Sequence, residues 1–143
     1  VNKYYNFSEL RQSANVLIGS INNIKVDFVY EKNNLIENVF EEDGIRFLGL
    51  KDICAMKLMA ISDNGSRLKD YIDIAVLSLY FSFNDMLSFF NKKYDISSQI
   101  VPIRPLCDFS KIDTNQKVDM IIKGYDIEKC KIRIKEKAKP GDR

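Results

Sequence analysis

At Leu50 the hydrophobic pattern changes period, and that switch limits the folds open to this chain. Before it, apolar and polar residues alternate as on a half-buried strand. After it, apolar residues recur at helical spacing. Strands first and helices afterwards define an α+β class. The sequence therefore divides into a sheet-forming part, residues 1–50, and a helical domain, residues 51–143, that ends in a basic tail.

Residues 14–30 read as two strands joined at Asn22-Asn23, since Asn tolerates the left-handed backbone of a short hairpin turn. In the second strand Ile24, Val26, Phe28 and Tyr30 share one face, and Lys25, Asp27 and Val29 share the other. Residues 31–44 are polar and loop-like up to the turn signal Asp43-Gly44, and a short strand, IRFLGL, follows. A first helix is expected over about 51–62, stopped at Asn64-Gly65. Ser66 is expected to cap a second over about 67–82, and a third covers about 83–93. Pro102 and Pro105 restrict residues 96–109 to short helical pieces, and a last helix spans about 115–137.

The chain contains no histidine, which excludes Ser-His-Asp and Cys-His catalysis and imidazole metal sites. Chemistry must run on carboxylates, Lys, Arg, Tyr or metals held by oxygen. Cys54, Cys107 and Cys130 are odd in number and lack any CxxC spacing, so buried thiols in a reducing cytoplasm are expected. No apolar run approaches the roughly 20 residues that span a bilayer. The first residues, VNKYYNF, hold no secretory core and no initiator Met, as in a processed piece or a variant start. Residues 129–143 carry a net charge of +5 against +2 for the whole chain, a basic tail suited to solvent or to nucleic acid.

Three places stand out chemically. Asp27 sits mid-strand, where Asp is disfavoured; it is either a metal-facing carboxylate, or a member of a cross-strand ion pair in the neighbourhood of Lys25, or simply solvated. Lys57 is the one charge in ICAMKLMAI, and its amine either snorkels or meets an anion. In SRLKDYIDIAVLSLYF, residues Leu68, Ile72, Ala75 and Leu79 form an apolar stripe. Lys69, Asp70 and Asp73 take the opposite side, with Lys69 and Asp73 at i,i+4. Arg67, Lys69, Asp70 and Asp73 thus crowd the start of one helix, which suits either the helix dipole or a phosphate-bearing ligand.

The array KLMAISDNGSRLKDYIDI, residues 57–74, closely resembles the second-half signature of the AbiEii/AbiGii toxin family of nucleotidyltransferases. That family has a Lys on a buried helix, a Gly-containing turn, and then a Lys-Asp-x-x-Asp helix start. Lys57, Gly65, Arg67, Lys69, Asp70 and Asp73 match it position by position. The resemblance extends through YYNFSELRQSANVLIGSINNIKVDFV, GIRFLGLKDICAMK and PIRPLCDFSKID, about residues 4–125. The family's Gly-Ser or Gly-Gly-Thr turn with its following Asp-x-Asp pair does not occur in these 143 residues.

The resemblance implies part of a polymerase-β-like sheet followed by a helical domain, and nucleotidyl transfer from an NTP to an RNA or protein acceptor. It implies Mg²⁺ and NTP as cofactors, with Asp27 as a metal carboxylate. Lys57, Arg67 and Lys69 would neutralise phosphate oxygens, and Asp70 and Asp73 would position them or the acceptor. The implied setting is a bacterial toxin–antitoxin or phage-defence system in the cytoplasm, with a cognate antitoxin as partner and no membrane contact. With only one of three expected metal carboxylates, the chain is expected to transfer no nucleotide by itself. The alternative is a non-catalytic nucleotide- or partner-binding module. An unpaired edge on the hairpin sheet is further expected to support a homo-oligomer.

Overall fold

A computed structural model describes residues 6–95, 100–118 and 126–138. Two compact units emerge, Val1–Asn33 and Asn34–Arg143. The change from strand to helix falls at residue 50, but the second unit begins earlier and takes a small β-hairpin with it.

The first unit is an antiparallel three-stranded sheet of β1 (Phe7–Ser13), β2 (Val16–Ile21) and β3 (Ile24–Val29), in the order β1-β2-β3. The β2–β3 hairpin is the expected one. Asn22 and Asn23 both hold positive φ, 51° and 66°, the geometry that matches the right-handed twist of a two-residue hairpin. β1 was not expected: FSELRQS has little apolar content, and its Leu10 points to solvent. Its pairing with β2, with a register shift between Glu9 and Arg11, creates the strand. Gly19 permits the close approach, because a Cβ there would stand 2.5 Å from the Phe7 ring and 2.6 Å from the Ser8 carbonyl.

The second unit opens with a hairpin of β4 (Phe40–Glu42) and β5 (Ile45–Phe47) across Asp43-Gly44. Both turn residues have positive φ, 51° and 75°, and Phe40 stacks on Phe47 at 5.2 Å between centroids. β5 is the expected short strand, cut to its first three residues.

The helices follow: α1 (Leu50–Asp63), α2 (Leu68–Leu77), α3 (Phe83–Tyr94), α4 (Ile100–Cys107) and α5 (Ile127–Lys137). α1 contacts α2, α3 and α4, and α2 contacts α5. The core gathers Cys54, Leu58, Ile61, Tyr71, Ile74, Met86, Phe90, Leu106, Cys130 and Ile134. Among the described residues no helix is long and apolar enough to cross a membrane.

Helix ends account for most departures from the expected boundaries. α1 stops where Gly65 turns left-handed, φ 65°, as expected. Ser66 does not cap α2. The capping position is Arg67, and the Leu68 N–H donates instead to the side-chain oxygen of Gln116 at 3.2 Å. The Ser66 carbonyl accepts from the Asp113 N–H at 3.1 Å, so this start is fixed from a distant loop. α2 also ends at Leu77 rather than near residue 82. Arg133 on α5 donates to the Ser78 carbonyl at 3.0 Å and to the Ser78 hydroxyl, holding the helix end. Leu79 and Tyr80 therefore fall beyond the helix and are exposed, so Leu79 does not continue the apolar stripe.

Ser82 is then free to start α3 through a capping box: the Asp85 N–H donates to its hydroxyl and its own N–H donates to the Asp85 carboxylate. Ser82→Ala is expected to lower stability by about 1 kcal/mol in urea denaturation. A change under a few tenths would show that packing alone holds α3. The expected last helix over about 115–137 is observed as Ile127–Lys137; residues 119–125 of that span lie outside the described residues, as do residues 139–143 of the basic tail.

Candidate functional site

α1 and α2 present the charged cluster. Lys57 lies on α1 one turn after Cys54 and one before Ile61, both fully buried, so its stem runs along the core. Its Nζ donates to Asp70 Oδ1 and reaches Asp73 Oδ2, each at 2.8 Å. Arg67 Nε stands 3.6 Å from Asp70 Oδ2. The result is a chain of alternating charge, Arg67–Asp70–Lys57–Asp73.

Burial grades along this chain. The Asp70 side chain is 2% exposed, Lys57 26%, Asp73 44% and Arg67 51%. A carboxylate as buried as Asp70 persists as an ion only with a close cation, which Lys57 supplies. Burial by itself would lower the Lys57 pKa, but hydrogen bonds and charges from Asp70 and Asp73 outweigh it, and the pKa lies above that of an ordinary lysine.

Two expectations on α2 are corrected here. Asp70 does not lie on an outward polar face; it points inward, because α1 brings Lys57 against it. Asp73 pairs with Lys57 rather than with Lys69. Lys69 is exposed, and makes no ion pair among the described residues. Lys57 does not merely snorkel.

The cluster retains unspent donors. Lys57 has three N–H groups and makes two contacts; the Arg67 guanidinium is half exposed, with its Nε 3.6 Å from Asp70; Lys69 is exposed and without an ion pair among the described residues. Lys57 and Arg67 alternate with the two carboxylates, and Lys69, next to Asp70 in sequence, adds an exposed cation on the same helix start.

Asp27 belongs to the sheet unit. It lies in β3 opposite Ile18, and its carboxylate is 3.2 Å from Lys25 Nζ, with 44% of its side chain exposed. The ion pair with Lys25 runs along β3 rather than across strands, and the carboxylate is also partly solvated. Among the described residues no three Asp, Glu, Cys or His side chains lie close enough to hold a metal together. Asp70 and Asp73 are already committed to Lys57. These residues do not fit a pair of Mg²⁺ ions by themselves, since each ion wants several oxygens in near-octahedral array.

A second buried ion pair escaped the sequence reading. Lys93 on α3 donates to Asp52 Oδ1 at 2.8 Å, and neither side chain is exposed. The Ile36 and Glu37 N–H groups also donate to the Asp52 carboxylate, at 3.1 and 3.2 Å. Burial would raise the Asp52 pKa, but the hydrogen bond from Lys93 and those from the two backbone N–H groups prevail and lower it. A signal was present: Met86, Phe90 and Lys93 share helical spacing, which places Lys93 on the core-facing side of α3.

The cysteines divide. Cys54 and Cys130 are buried as expected, and burial pushes the Cys54 thiol up to about 12. Cys107 is exposed at the end of α4, contrary to expectation, because that helix presents Leu106 to the core and Cys107 outward.

The chain is an α+β protein with a Lys-centred carboxylate pair between its first two helices, and comparison of its sequence gives the class, a nucleotidyltransferase-like protein. The family model for the nucleotidyl transferase AbiEii toxin of type IV toxin–antitoxin systems matches residues 10–124. The chain belongs to this family. No curated protein and no solved structure gives a significant match.

Proposed function

We propose that this protein acts in nucleotidyl transfer from an NTP to an RNA or protein acceptor, and that the α1–α2 cluster binds the triphosphate. The observation that supports this reading is Lys57 held between Asp70 and Asp73, beside the uncommitted donors of Arg67 and Lys69 and within the family match. Asp70, nearly buried, fixes the position of the Lys57 amine. Asp73, nearer the surface, shares it and can yield when a phosphate oxygen competes. Arg67 supplies a planar donor fork and Lys69 a mobile point charge. Pre-placed cations of this kind stabilise charge without reorganising during reaction. The setting proposed with it is a toxin whose cognate antitoxin restrains it in the cytoplasm.

A non-catalytic nucleotide-binding role is the second reading. It is favoured by the lack, among the described residues, of a three-carboxylate metal cluster. Both readings require the cations. Calorimetric titration of each NTP against the 143-residue chain is expected to show binding that weakens about tenfold for each of Arg67→Gln and Lys69→Gln, the worth of one charge-assisted hydrogen bond. Unchanged affinity in both variants would overturn the proposal. Labelled NTP with RNA and protein acceptors separates the two readings: the chain alone is expected to bind without transferring. Robust transfer would overturn that expectation, and its loss in Asp27→Ala would assign a metal role to Asp27.

A further inference from the structure

A cavity of about 510 Å³ opens at the other end of Tyr71 from the backbone that carries Asp70. Its walls come from the end of α1 with the following turn (Ile61, Asn64, Gly65) and from α4 with its trailing segment (Arg104, Asp108, Lys111). Its residues are distinct from the Lys57 cluster, and neither the proposed transfer chemistry nor the family match assigns it a role.

Tyr71 forms a fixed floor. Its hydroxyl lies 3.1 Å from both the Gly65 and the Pro105 carbonyls, sharing its single proton between them, and joins the α1–α2 turn to α4. Burial, with the charges of Asp108 and Asp70, pushes this hydroxyl up to about 12, so it remains a donor throughout the neutral range. Gly65 keeps the wall thin: its φ is 65°, and a Cβ there would lie 3.2 Å from both the Ile61 carbonyl and the Tyr71 hydroxyl.

The charged groups leave one positive charge in excess: hydrogen bonds from Ser110, and then the charges of Lys111 and Arg104, hold the Asp108 carboxyl below its ordinary 3.8. Arg104 and Lys111 are exposed and make no ion pair among the described residues. The Asp108 carboxylate is occupied on one oxygen, which accepts from the Ser110 N–H at 3.0 Å and hydroxyl at 2.6 Å. Two cations, neither closed into an ion pair among the described residues, therefore share the field of one carboxylate with a single free oxygen. Such a set takes an anion that also carries hydroxyl or amino donors. A phosphate alone would leave Asp108 unmatched and most of the volume unused, since pockets of roughly 300–1,000 Å³ hold whole small molecules.

We propose that this cavity binds a nucleotide, with Arg104 and Lys111 on its phosphate and Asp108 and the Asn64 amide on its sugar hydroxyls or base edge. The nucleotide is either free or the phosphorylated end of an RNA. Further cationic surface adjoins the floor: the Phe109 ring meets Tyr71 edge-on at 5.7 Å, and Lys135 Nζ lies 5.4 Å above Phe109.

Amide chemical shifts of the full chain, followed during titration, test this site independently of the α1–α2 cluster. AMP is expected to move Asn64, Gly65, Asp108 and Lys111, with the dissociation constant rising at least about tenfold in Arg104→Gln/Lys111→Gln. The same shifts are expected to persist in Arg67→Gln/Lys69→Gln, so loss of the proposed triphosphate site leaves this inference standing. A 5′-phosphorylated RNA oligonucleotide binding more tightly than AMP assigns the site to an RNA end, and the reverse assigns it to a free nucleotide. Inorganic phosphate binding as tightly as AMP, or shifts that survive Arg104→Gln/Lys111→Gln, would overturn the proposal. So would the absence of these shifts with AMP in a variant-free chain whose spectrum is otherwise well dispersed.

Discussion

Lys93→Met is expected to lower stability by roughly 3–5 kcal/mol, the usual consequence of removing one partner from a fully buried ion pair. The Asp52 carboxylate would be left with the Ile36 and Glu37 N–H groups and no cation, at zero exposure. Asp52→Asn in the same chain is expected to recover much of that loss, because the amide oxygen still accepts from the backbone and no buried charge remains. The two changes together should therefore fall well short of the sum of each alone, as coupled neighbours do. Chemical denaturation of the four proteins measures this directly, and simple additivity would count against the pair as the latch between α1, α3 and the 34–37 segment.

The pH dependence has a definite sign. The Asp52 pKa is lowered on folding from its ordinary 3.8, so its contribution is present above that value and is lost as pH falls through the lower, folded one. Stability of the parent chain should fall as pH drops below about 4, and less so in Asp52→Asn. Equal acid slopes would show that Asp52 is not what acid attacks.

Lys57→Met carries the second large effect. Read from sequence, an amine snorkelling out of a buried helix would be replaced at no loss. In the structure the amine is paired instead, so the substitution strands Asp70, 2% exposed, with only the half-exposed Arg67 at 3.6 Å. Destabilisation near the lower end of the same roughly 3–5 kcal/mol is expected, because Arg67 offsets part of the loss. Asp73→Asn breaks the outer contact alone and should cost under about 1 kcal/mol, as for other solvent-exposed pairs. Because the Lys57 pKa is raised on folding, its contribution is complete below the ordinary 10.5 and disappears as pH rises through the folded value. The parent chain should thus lose stability at strongly alkaline pH more steeply than Lys57→Met. Thermal melts at neutral and alkaline pH decide the matter, and a Lys57→Met chain as stable as the parent would return the residue to a snorkelling role.

The candidate site was legible in its membership but not in its wiring. Lys57, Arg67, Asp70 and Asp73 were recognised from residue type and spacing, and the fold brings those four together. Spacing along α2 suggested a Lys69–Asp73 pair, worth a few tenths of a kcal/mol on a surface helix. Lys57 displaces Lys69 because a partly buried ammonium gains more from two carboxylates than an exposed one does from a single neighbour.

The sequence by itself determined what depends on a few adjacent residues. Asn22-Asn23 and Asp43-Gly44 adopt the left-handed backbone that turns a hairpin, and Gly65 does so to stop α1. The change of period at Leu50 likewise divided strands from helices, because side-chain direction repeats with the local backbone. Tertiary structure decided every feature that rests on a partner remote in the chain. FSELRQS became β1 only against β2; Gln116, not Ser66, serves the start of α2; Arg133 ends it; and Asp52 found Lys93 across 41 residues. Backbone conformation carries a local energy that a short sequence can bias, whereas a buried donor or charge is satisfied by whichever group the folded core delivers, and that choice exists only once the core has formed.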